Sequence, residues 1–111
     1  MLLNNSGQWY TKAVKSSQEV KNMMYPFLQL NDNTEIVHSD MNDDGTVKVY
    51  IEKPVEGGFH SASCFLPKYE WKGIDGFTEN DIEKYQKLLE SVAHLIIRFS
   101  QQGGFDNAAN L

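Results

Sequence analysis

Few residues in this chain could do chemistry, because 111 positions hold one cysteine and three histidines. His60 and Cys64 lie four apart in YIEKPVEGGFHSASCF. A thiol becomes a nucleophile when an imidazole within hydrogen-bond reach takes its proton. On a β-strand, four residues span ~13 Å, too far for that contact. Cys64 therefore reads as a small core hydrophobe, and His60 as a solvated residue at a hairpin rim. His94 falls among charges on the polar side of a helix, and His38 on the sheet face opposite Cys64. No triad results, no catalytic residue is assigned, and a non-enzymatic protein is expected.

A second constellation is Asp40-Met41-Asn42-Asp43-Asp44-Gly45, which matches the first half of an EF-hand loop. Oxygen ligands at alternate positions, here Asp40, Asn42 and Asp44, can wrap a hard cation around the sharp turn that glycine allows. The match stops there. Ile51 stands where the bidentate glutamate belongs, Glu52 is one step late, and the flanks read as strands. Turn chemistry explains the same residues, so calcium or a small molecule at this loop is the alternative reading. No cofactor motif is recognised.

The elements that would position these residues follow from periodicity. Trp9, Ala13, Val20, Met23, Met24 and Phe27 recur at helical spacing, predicting a helix over Gln8–Tyr25 that Pro26 ends. Ser16-Ser17-Gln18-Glu19 also reads as a capping box, which would start it later. From Thr34 the period becomes two, with strands expected at Thr34–Met41, Val47–Glu52 and Phe59–Leu66. Thr78 with Asp81 caps a final helix, carrying Ile82, Tyr85, Leu89, Val92, Ile96 and Phe99 on its apolar side. The expected fold is α+β, in the order α-β-β-β-α. It has a three-stranded antiparallel meander with the helices packed mainly on one face. Residues 1–102 form a single domain, with 103–111 a flexible tail.

Turn geometry assigns the faces. Asn42–Gly45 as a three-residue hairpin loop pairs His38 with Tyr50 and Val37 with Ile51. Gly57-Gly58 as a two-residue turn pairs Ile51 with Cys64 and Tyr50 with Phe65, given a bulge near Pro54. A five-residue PVEGG loop would flip the third strand. The two-residue turn is preferred because it buries Cys64 and Leu66 rather than Ser61 and Ser63. His38, Tyr50 and Phe65 then form a row on the face away from the core, with Ile36 and Glu52 beside it. Rings offer contact area with little rotamer entropy to lose, so these five residues are the suspected partner-binding surface. The N-terminal segment or a second copy of the chain could cover the same face. Tyr69, Trp71 and Phe77 offer a second candidate patch, with a bridging loop packed on the core as the preferred reading.

Composition narrows the partners. Ten basic against fifteen acidic residues give −5, which repels phosphate backbones and suits a basic protein partner. Hydrophobic content of 41% supports a folded core rather than a disordered chain. No stretch has the length of a membrane span, MLLNNSGQW lacks a signal-peptide pattern, and the lone cysteine fits a reducing compartment. A cytoplasmic protein is expected, without nucleic acid or membrane as partner, and with a homodimer open.

Between Val47 and Leu95 stand Glu52, Gly57-Gly58-Phe59, Pro67 and Gly76-Phe77-Thr78. With these residues the segment resembles HicB-type antitoxins. The resemblance implies a protein that neutralises a small basic toxin by binding it. The family's proline-leucine-proline-glycine pattern after the third strand is missing, and no DNA-binding extension follows. The expected function is an acidic protein-interaction module, with an inhibitor or antitoxin-like role as its concrete form.

Overall fold

Alternation of branched apolar residues with polar ones makes the central hairpin. In the computed structural model, which describes residues 23–103, Val47–Val55 and Gly58–Leu66 form the paired strands β3 and β4. Val47, Val49 and Ile51 of one, with Ala62, Cys64 and Leu66 of the other, are fully buried on one face. The turn is Glu56-Gly57, closed by the Val55–Gly58 pair, with Gly57 at φ 84°. Val49 thus faces Cys64, Ile51 faces Ala62, and Tyr50 faces Ser63, two residues from the expected register. An even shift preserves parity, so the faces stand as expected. The expected bulge near Pro54 is not formed. Counting from the closing pair, Pro54–Phe59 falls at a position that exchanges no ladder hydrogen bonds, and proline fits without one.

The preceding hairpin keeps its expected turn but not its expected faces. Glu35–Ser39 is β2. Asn42 N–H donates to Thr46 O at 2.8 Å and Gly45 N–H to Asn42 O at 2.9 Å. An extra residue then accumulates on the β2 side. Lys48 N–H donates to the Ser39 hydroxyl at 3.0 Å, and His38 pairs with Val49 instead of Tyr50. One step of slip exchanges the two faces of a strand. His38 and Ile36, expected outside, therefore lie on the core face, at 0% and 1% exposure.

Two further strands extend the sheet. Met24–Gln29 is β1, paired with β2 and bulged between Pro26 and Leu28. This corrects the end of the expected N-terminal helix; the rest of that helix lies outside the described residues. Glu70–Asp75 is β5, paired with β4, so Trp71 belongs to a strand rather than to a bridging loop. Among the described residues the result is a five-stranded antiparallel meander in the order β1-β2-β3-β4-β5, not a three-stranded one.

One helix, α1 (Glu79–Ser100), is the final described element and packs across one face of the sheet. Leu89 and Ile96 are fully buried, flanked by Ile82, Tyr85, Val92 and Ile97. Phe99 meets Phe27 of β1 at 6.2 Å between ring centres, and Trp71 Nε1–H donates to Gln86 Oε1 at 2.9 Å. Ser100 O accepts from Met41 N–H at 3.1 Å, tying the helix end to the hairpin. Among the described residues, no helix is long and apolar enough to cross a membrane.

Candidate functional site

Two of the expected cation ligands, Asn42 and Asp44, are occupied in closing their own turn, and the third, Asp40, is engaged by Tyr25 of β1. Asp44 Oδ1 accepts from Thr46 N–H at 3.0 Å and from the Thr46 hydroxyl at 2.7 Å. Those bonds hold its carboxyl below the ordinary carboxylate range. Asn42 Nδ2–H donates to Thr46 Oγ1, and Asp40 Oδ2 accepts from the Tyr25 hydroxyl at 3.2 Å. Burial and that neighbouring carboxylate raise the Tyr25 phenol. Among the described residues, no three His, Cys, Asp or Glu side chains converge as a metal group.

His38 sits between rings instead of on the suspected surface. Tyr25 lies 5.6 Å from it, centre to centre, and Phe27 stands edge-on at 6.4 Å. Nδ1 is 2.9 Å from Ser39 O, so it carries the proton and donates. Nε2 is buried with no partner among the described residues. Burial pushes the imidazole below its ordinary value, more than the carbonyl and Asp40 push it up.

Cys64 and His60 stay apart, as strand spacing requires. Cys64 is fully buried between Val49 and Trp71, and burial pushes its thiol up to about 12. A thiol so disposed stays protonated and inert. His60 is not merely solvated: it stands edge-on to Phe77 at 5.5 Å.

The outer sheet face retains three of the five suspected residues, Tyr50, Phe65 and Glu52. Pairing replaces the expected row by Pro26, Val37, Tyr50, Ser63 and Lys72, running across all five strands. Beside it, Phe65 lies between Lys48 and Glu70. The Tyr50 hydroxyl donates to Glu52 Oε2 at 3.1 Å, and Lys72 Nζ sits 5.2 Å from the centre of the Phe65 ring. Both rings are half-buried by these neighbours, and no described helix or strand packs over them. Such a face offers flat aromatic area with charges already placed around it.

A groove that the sequence reading missed lies on the other side of the molecule. Ile74 of β5, Phe77, and Ile82, Glu83 and Gln86 of α1 border a space of about 620 Å³. A lone apolar Ile74 in the polar stretch 72–76, beside acidic positions on one helix flank, was the available signal. Without a strand at Glu70–Asp75 there was nothing for that flank to face.

Comparison with family models, with curated proteins and with solved structures finds no match for this chain. The likeness of Val47–Leu95 to HicB-type antitoxins therefore stands on its few residues alone.

Proposed function

We propose that this chain is a non-enzymatic, cytoplasmic protein-interaction module. Its outer sheet face engages a basic partner protein, in an inhibitory or antitoxin-like role. The observation that carries this reading is the cross-sheet row through Val37 and Tyr50, with Phe65 beside it, uncovered by any described element. Large rings on a rigid sheet are the usual anchors of a protein interface, and truncating one typically costs about 2 kcal/mol of binding. The formal charge of −5 supports a basic partner, since long-range attraction speeds encounter and penalises acidic competitors.

The test is co-purification from the native host with mass spectrometry, followed by calorimetry on the captured partner. Tyr50→Ala combined with Phe65→Ala should weaken binding by about ten-fold or more while leaving circular dichroism and the melting temperature nearly unchanged. Undiminished affinity would remove this face as the contact. Loss of the fold would make the rings structural.

A further inference from the structure

The groove between β5 and the first half of α1 has three properties that belong together. Its floor is apolar, from Ile74, Phe77 and Ile82, and Ile74 is 46% exposed although it points at the helix flank. Glu79, Glu83 and Glu90 border it against a single ammonium, that of Lys87. One wall is the last strand of the sheet, with no described strand beyond it.

We propose that this groove docks a short extended segment of a partner protein that alternates basic and apolar residues, laid along β5 as an added strand. A strand pairs ~4.8 Å from its neighbour, which sets the newcomer beneath the flank of α1. Its inward side chains then rest on Ile74, Phe77 and Ile82. Lysines or arginines among them reach Glu79 and Glu83 at the rim. Outward side chains fall beside Glu70 and Asp75, whose strand partners Phe65 and Ser61 lie on the outer face. The competing cation there, Lys72, is drawn over the Phe65 ring. Glu90 is partly engaged, accepting from Gln86 Nε2–H at 3.2 Å, so Glu79 and Glu83 carry the charge recognition. The register shift opposite Ala62, with Gly73 at φ 62°, keeps the pairing short. This surface is separate from the Tyr50–Phe65 face, and the inference stands without it.

The probe is a capped peptide alternating lysine and valine, titrated into the isotope-labelled full chain. Saturable amide shifts should appear in β5 and in the first half of α1. Glu79→Gln with Glu83→Gln, both exposed, should weaken binding about ten-fold at low salt. Ile74→Glu should do the same, and Glu83→Lys replaces it if that variant fails to fold. Methylating the peptide's backbone nitrogens should also weaken binding, because an added strand needs its N–H groups. Tyr50→Ala alone, which leaves Lys72 over the Phe65 ring, should leave this affinity unchanged. Absence of saturable shifts at millimolar peptide, equal binding of a glutamate–valine peptide, or indifference to N-methylation would each overturn the proposal.

Discussion

His38 shows how a buried polar group sets a pH limit on this fold. Its neutral form is the one that fits between Tyr25 and Phe27, because an Nε2 proton would find no acceptor. Burial depresses its folded value below the ordinary 6.5, with Asp40 opposing that depression only in part. In the unfolded chain the imidazole binds its proton near 6.5, so the unfolded state gains as pH falls past that point. Stability attached to the neutral ring is present above 6.5 and is lost progressively down to the depressed folded value. Urea midpoints measured from pH 8 to pH 5 should decline below 6.5, and His38→Phe should flatten that decline. Gly76 poses a steric limit. Its φ of 90° disfavours any side chain, and a Cβ would collide with the His60 ring. Gly76→Ala should cost about 2 kcal/mol or more in denaturant unfolding. Alkylation of Cys64 should be negligible in the folded protein at pH 8 and fast in denaturant, since burial keeps the thiol protonated.

Among the elements, α1 was the most legible in the sequence. Thr78 Oγ1 accepts from Asp81 N–H at 3.2 Å, and Asp81 Oδ2 accepts from Thr78 N–H at 2.9 Å, the reciprocal pattern that the residue types announce. Thr78→Ala should destabilise the fold by about 1 kcal/mol, measurable by thermal or chemical denaturation. Strands β3 and β4 were legible for a similar reason, since their fully buried residues are all aliphatic, alanine or cysteine. What was hidden depended on side chains standing in for backbone, or on breakers placed inside strands. A serine hydroxyl at Ser39 meets the Lys48 N–H, and no local pattern signals the residue of slip that buries His38 and Ile36. In β1, Pro26 imitates a helix stop, yet an edge strand tolerates it. In β5, Gly73 and the paucity of apolar residues conceal a strand whose inward side needs only Trp71 and Ile74. The candidate surface was legible to the same degree. Tyr50, Phe65 and Glu52 depend on the β3–β4 parity and kept their side, whereas His38 and Ile36 depended on the bulged hairpin.

At the scale of the whole molecule, a sheet layer and a helix layer leave two surfaces of different character. One is flat and aromatic; the other is a cleft with an acidic rim. Association through either with a basic protein should weaken about ten-fold as salt rises from low ionic strength to ~0.5 M, readable by calorimetry. The two ends of the sheet are also unequal. The ladder is irregular at both outer strands of the described sheet, but at β1 Pro26 also withholds an amide, while β5 carries no proline. Open-ended stacking of copies requires each sheet to offer compatible borders on both sides. With one border spoiled, a copy can receive a neighbour's strand without presenting a matching one, and the assembly terminates rather than growing into a fibre.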